Sequence, residues 1–234
     1  MGKVEWELFY NKFIQANGYQ VVLSGLVATL EIAIFGLLIG LLIGTLIAIV
    51  KVMPKYKRLP RILSAVCDVY VGFFRGTPIV VQLLIGWFVI LKDFRSASNI
   101  MAAIIVFGLN SGAYISEMMR GGINSVDPGQ LEAARAVGLP YAPAMLKVVV
   151  PQAIKNVLPT LGNEFIALIK ETSVVSFIAV VDVTKAFRQI GDSNYSYIIP
   201  YLLLALVYLI LVIGISRLIK LMERRLAKNE RHRH

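Results

Sequence analysis

"VVLSGLVATLEIAIFGLLIGLLIGTLIAIV", residues 21–50, runs for thirty residues with Glu31 as its single ionisable group. About 20 apolar residues cross a bilayer's ~30 Å hydrocarbon core at ~1.5 Å of rise each, so this stretch reads as a transmembrane helix. Working outward, residues 62–91, 98–119, 152–181 and 197–219 read as further spans. The expected fold is therefore an all-α membrane protein of about five transmembrane helices. The whole chain of 234 residues is 57% hydrophobic and 16% charged, which suits one membrane domain over 1–234 and not a soluble one.

The formal charge of +10 could suggest nucleic acid, but the basic residues cluster between and after apolar runs, the pattern of a lipid surface. Lys and Arg number five in residues 51–61, three in 120–151 and seven in 217–234, against two each in the N-terminal segment, 92–97 and 182–196. The positive-inside rule then places the N-terminus outside, and the 120–151 loop and the basic tail, 220–234, in the cytoplasm. Residues 1–20 are amphipathic and lack the short apolar stretch and small-residue cleavage site of a signal peptide. The one cysteine, Cys67, sits in an apolar run and reads as a small hydrophobe; no metal site is expected. Gly36, Gly40 and Gly44 share one helical face and read as a packing seam, and Pro78 and Pro159 as bends within spans.

Among these apolar runs lies a polar island, "SVDPGQLEAARAVGLP", residues 125–140. Asp127-Pro128-Gly129 is a helix-start signal, "LEAARAVG" is helix-forming, and Pro140, Pro143 and Pro151 punctuate the return to the membrane. The island reads as a short exposed helix whose small Ala133, Ala134 and Ala136 suit a cleft on another protein. The spacing Glu132-Ala133-Ala134, three residues, Gly138, nine residues, Val148-x-Val150-Pro151 resembles the EAA loop of ABC importer permeases, with Val at both aliphatic positions of the closing motif. "FFRGTPIVVQL", "SGAYISEMMRGGINSVDPGQ" and "LPTLGNEFIALIKETSVVSFI" extend the resemblance to permeases of the polar amino-acid uptake branch, over most of residues 20–220.

That resemblance implies a type I importer fold. It further implies that loop 120–151 carries the coupling helix, with Glu132, Ala133, Ala134 and Gly138 as its marks. Two ATP-binding subunits, a second permease copy or homologue and an extracytoplasmic substrate-binding protein are the implied partners in a bacterial plasma membrane. No Gly-x4-Gly-Lys-Ser/Thr loop occurs in the chain, so ATP and Mg are expected on the partner ATPase, and no catalytic residue is expected here.

Ionisable groups at membrane depth cost on the order of 2.5 to 3.5 kcal/mol and tend to face protein or water-filled space. From their expected entry points Arg75 lies ~20 Å and Glu164 ~14 to 18 Å into their spans, both near mid-membrane. Either they pair as buried structural ions, or they face a cavity, Arg75 holding a carboxylate and Glu164 an ammonium or cationic side chain, with Thr77 and Asn163 as neutral partners. Glu31 reads as protonated or paired, or else as a cargo contact, Lys170 and Glu171 as a salt-bridged rim or an outer gate, and Asp68 and Glu117 as packing or capping groups near the cytoplasmic side. Alternative functions are a permease for another small polar solute, an ion-coupled secondary transporter with Glu31 or Glu164 carrying a proton, and a membrane scaffold.

Overall fold

The computed structural model describes residues 2–53, 58–91, 98–193 and 195–231, without side chains at 2–3 and 226–231. Part of the basic connector, the 92–97 loop and the tail histidines, His232 and His234, fall outside these residues. Helices follow in the order α1 (Gly2–Tyr10), α2 (Gly18–Val52), α3 (Arg58–Gly76), α4 (Ile79–Ile85), α5 (Asn99–Asn124), α6 (Pro128–Ala136), α7 (Tyr141–Ala144), α8 (Val150–Glu171), α9 (Val183–Asp192) and α10 (Ile198–Arg231). Wider π-type turns follow α1, α4 and α7, and a 3₁₀ segment, Thr172–Ile178, follows α8.

Among the described residues three helices are each long and apolar enough to cross a membrane: Gly18–Val52, Asn99–Asn124 and Ile198–Arg225. The expected span 62–91 is not one helix. It breaks after Gly76, and Arg58–Gly76 with Ile79–Ile90 qualifies only as a broken span. The cause is Pro78, whose extended ψ of 139° starts α4 anew and whose nitrogen has no proton to donate. Pro159, by contrast, lies inside an uninterrupted α8. The expected span 152–181 is likewise shortened: α8 ends at Glu171 and, with its Asn, Gln, Lys and Glu content, does not qualify by apolarity alone.

The chain folds into two compact units, Met1–Gly36 with Pro78–Phe107 and Phe165–Leu218, and Leu37–Thr77 with Gly108–Glu164 and Ile219–His234. In the first, the core gathers Phe9, Val22, Val183, Ala186, Phe187 and Ile190. Asp182 is fully buried and caps α9, accepting from the Thr184 and Lys185 amides at 3.0 Å each. Burial pushes its carboxyl above the ordinary range, while those amide bonds pull the other way. The Asp182 carbonyl lies where a Cβ on Gly25 would stand, at 2.6 Å, and Thr29 Oγ1 accepts from the Val183 amide at 3.2 Å, so α2 lies tightly against the start of α9.

In the second unit α2 and α5 interlock. A Cβ on Gly40 would stand 2.8 Å from the Ser111 side chain and one on Gly44 2.7 Å from Ile115; in return Gly108 faces Ile39 and Gly112 faces Ile43. The glycine seam expected on α2 is thus present at Gly40 and Gly44, and it is reciprocal, because α5 carries its own Gly-x3-Gly at 108 and 112. Close backbone approach substitutes for the hydrophobic drive that is absent between helices in lipid. Gly44→Val is expected to lower stability by about 1 to 3 kcal/mol through overpacking, read as a lower Tm of the detergent-solubilised protein. Gly214→Ala, where a Cβ meets nothing within 4 Å, should leave Tm unchanged or slightly raised.

Candidate functional site

Within the second unit, α2, α3 and α5 meet around a polar cavity of about 410 Å³ lined by Lys51, Ser64, Asp68, Arg75, Glu117 and Arg120, among others. Lys51, at the end of α2, has a side chain only 9% exposed; its ammonium stands 3.1 Å from Asp68 on α3 and 2.8 Å from Glu117 on α5. Glu117 accepts in turn from Arg120 Nη2 at 2.6 Å and Nε at 3.3 Å, a forked pair one helical turn away. Arg75 is the loosest member, 3.7 Å from Glu117 with its guanidinium 5.5 Å over the Tyr114 ring. Three cations against two carboxylates leave the cavity one positive charge in excess.

Asp68 and Glu117 are therefore not capping groups but the two acids of an ionic network tying three helices together. Of the two readings left open for Arg75 and Glu164, a mutual pair or a shared cavity, the geometry bears on the pair. Arg75 turns to Glu117 and Tyr114, whereas Glu164, 8% exposed on α8, accepts from Ser111 Oγ at 3.0 Å. Equal depth left the pairing open; a contact also needs facing azimuths, and the two side chains reach α5 at different turns. Asn163 is exposed on α8, and Thr77 donates its hydroxyl to the Phe73 carbonyl at 2.8 Å, supplying an acceptor at the broken end of α3 with a partner. Asn110 Nδ2 does the same for Phe74 O at 3.4 Å. Glu31 is half-buried in the first unit, and Lys170 and Glu171 are exposed.

The polar island is a helix, as its sequence requires. Asp127 caps α6 by accepting from the Gly129 amide at 2.7 Å, with Pro128 at the first helical position. At the other end the Gly138 amide donates to Arg135 O at 3.0 Å and the Leu139 amide to Ala134 O at 3.2 Å, the paired bonds of a Schellman closure. That closure puts Gly138 at φ +90°, where a side chain is strained, so the glycine of the motif has a backbone reason. Within α6 only Leu131 and Ala134 are withdrawn from the surface, Leu131 against Val126, Met145, Val149 and Ala153. Glu132, Ala133, Arg135 and Ala136 are exposed and Val137 is 80% exposed, presenting a small-residue ridge outward.

Lys51 is the element that sequence reading left in the basic connector; the signal that could have found it is its place directly after an apolar span, with Asp68 and Arg75 at i, i+7 on one face of α3. Glu117→Gln is expected to cost on the order of 1 to 3 kcal/mol, since it leaves the buried Lys51 ammonium with Asp68 alone and removes the charge that Arg120 and Arg75 share, and to lower Tm accordingly. Asp68→Asn, at a side chain 62% exposed, should cost under about 1 kcal/mol.

Comparison with known proteins supplies the context for this geometry. The family model for the inner membrane component of binding-protein-dependent transport systems matches residues 36–228. The chain is 38% identical over 211 residues to the arginine transport system permease protein ArtQ of Bacillus subtilis (strain 168), covering 89% of this chain and 94% of that one. It is 39% identical over 209 residues to a putative glutamine transport system permease protein GlnP of Rickettsia prowazekii (strain Madrid E), with the same coverages. A crystal structure of an amino acid ABC transporter with histidines superposes with a TM-score of 0.80 at 38% identity, over 90% of this chain and 96% of that one. The MetNI methionine transporter in an inward-facing form shares the fold, with a TM-score of 0.70 at 21% identity, over 88% and 96% of the two chains. With more than four-fifths of its length under one family model, this chain belongs to the inner membrane components of binding-protein-dependent transport systems, the permease subunits of ABC transporters.

Proposed function

We propose that the chain is the membrane-spanning half-pathway of an ATP-driven importer of polar amino acids, working as a pair with a second copy or a homologue. One observation carries the site: both mid-membrane charges attach to the same stretch of α5. Glu164 meets it at Ser111, and Arg75 meets it at Tyr114 and Glu117. Three to six residues of helix separate these points by roughly 4.5 to 9 Å. Over that distance an amino acid carries a carboxylate at one end and an ammonium or side-chain charge at the other. Arg75, held only loosely by Glu117, can exchange that partner for a cargo carboxylate, and Glu164 receives the cationic end. Exposed Asn163 and the Thr77 hydroxyl supply neutral hydrogen-bonding groups beside these charges. The kinship to arginine, glutamine and other amino-acid permeases supports this cargo class, and the single carboxylate of Glu164 favours cationic members of it.

The engine docks on α6. Its exposed ridge of Ala133, Ala136 and Val137, flanked by Glu132 and Arg135, inserts into a cleft of an ATP-binding subunit that holds ATP and Mg, and Gly138 keeps the helix end closed. Two such subunits serve the permease pair, and an extracytoplasmic binding protein delivers cargo. The basic bias of residues 51–61, 120–151 and 217–234 supports a plasma-membrane orientation with the N-terminus outside and α6 and the C-terminus in the cytoplasm. A permease for a different small polar solute would keep α6 and lose the amino-acid response.

In proteoliposomes containing the whole transporter, basal ATP hydrolysis should persist in Glu164→Gln while stimulation by amino acids is lost, and Arg75→Ala should weaken stimulation by at least about tenfold, as expected for a lost charged hydrogen bond. Failure of every amino acid to stimulate the wild type would overturn the cargo assignment. Gly138→Val should act differently, lowering basal and stimulated hydrolysis together and reducing recovery of the ATP-binding subunit on purification, because the left-handed position costs a β-branched residue about 1 to 2 kcal/mol or more.

A further inference from the structure

The first unit carries a row of aromatic rings that neither the cargo pathway nor α6 uses. Trp6 and Phe9 have ring centroids 5.9 Å apart, Phe9 and Phe13 stack at 5.0 Å, and Phe13 meets Tyr19 edge-on at 6.4 Å. The row runs from α1 through the π-type turn into the first turn of α2. Its inner members are accounted for: Phe9 is buried and Phe13 partly so, both against Val22, α9 and the start of α10. Its outer flank is not. Trp6 is 53% exposed and Tyr10 47%, and Val4, Leu8 and Ile14 are exposed as well. So much apolar surface on one short helix is not a water-facing arrangement.

Where α1 can lie is set by its tether. Only Ala16 and Asn17 separate the π-type turn from α2, a reach of roughly 7 Å at the extended limit. Asn17 is in the left-handed conformation, φ 57°, which reverses the chain tightly. α1 is therefore held at the level where a spanning helix enters the bilayer. The start of α10 packs on the same core through Ile199 and Leu203 and carries its own ring pair, Tyr197 and Tyr201, at 5.7 Å. Trp and Tyr rings with one apolar body and one polar tip, gathered at the first turns of two spanning helices, are the chemistry of a membrane–water boundary.

We propose that α1 and the turn after it form an interfacial membrane anchor, lying in the headgroup region of the leaflet where α2 and α10 begin, with Trp6, Tyr10 and Ile14 in contact with phospholipid and Phe9 and Phe13 gripping α9. Glu5, Glu7 and Lys12 leave the segment polar enough to stay at the boundary and not enter the core. Through its inner face the anchor ties α9 to the lipid boundary, so α9 is held from the membrane side as well as by its Asp182 cap.

The test uses the complete transporter in vesicles of phosphatidylcholine and phosphatidylglycerol, plain or brominated at shallow or deep acyl positions. Subtracting the Trp6→Phe fluorescence from that of wild type isolates Trp6 from Trp87 and from any tryptophan of the partners. The expected result is a roughly twofold or greater loss of Trp6 emission with shallow bromines, less with deep ones, and little quenching by aqueous iodide. Iodide quenching without bromolipid quenching would overturn the proposal in favour of a solvent-facing helix. Protection from both would overturn it in favour of cover by protein, such as a second copy of this chain. A nitroxide on Ile14→Cys gives an independent reading: greater collision with oxygen than with a water-soluble nickel chelate supports the anchor, and the reverse sinks it.

Discussion

A single ammonium, that of Lys51, is shared between Asp68 and Glu117 on two other helices, and the geometry of the second unit turns on it. With its side chain almost withdrawn from solvent, this cation depends on its acids: losing one leaves the whole charge to the other. Lys51 can stand there only because α2 and α5 come close, and they come close only because Gly40, Gly44, Gly108 and Gly112 carry no side chains at their crossing. Steric absence and electrostatic necessity thus act on the same two helices. α3 joins them through Asp68 and Arg75, and the polar cavity is the space these charges enclose.

The ranking of the network's members follows from their exposure and distance. Lys51 with Glu117 is short and largely buried, Arg120 with Glu117 is short but half-exposed, and Arg75 with Glu117 is long and half-exposed. The first holds structure, the second completes the acid's hydrogen bonding, and the third is the contact that can be given up. A cavity built this way has a fixed wall and one labile charge. Glu164 meets α5 at Ser111, six residues before Glu117.

Much of this architecture was legible in the residues because its causes are local. An uninterrupted apolar run announces a span, and Asp127-Pro128 with Gly138 announces a helix of defined length, since caps and left-handed closures depend on residues a few positions apart; Pro78 and Pro159 looked alike, and only the first interrupts its helix. Long-range pairings were less legible. The partners that Arg75 and Glu164 take on α5 depend on how α3 and α8 are rotated against it, which a depth ruler does not measure. The seam was half visible: Gly40 and Gly44 stood out in an apolar run, while Gly108 and Gly112 were hidden among the polar residues of α5. Residues 152–181 misled for another reason, since their helix depends on neighbours and not on its own hydropathy.

The two closures of α6 have a mechanical consequence. A helix that frays yields under load, because its end turns can unwind and absorb displacement as local disorder. α6 has its first amide partner fixed by Asp127 and its last carbonyls taken by the amides of Gly138 and Leu139, so no loose turn remains to take up slack. Its nine residues make a strut of roughly 13 Å. Its small inward anchorage, Leu131 and Ala134, acts as a bearing and not a weld. A push on the outer ridge would therefore find little inside the helix to absorb it, and the chain on either side would have to move instead.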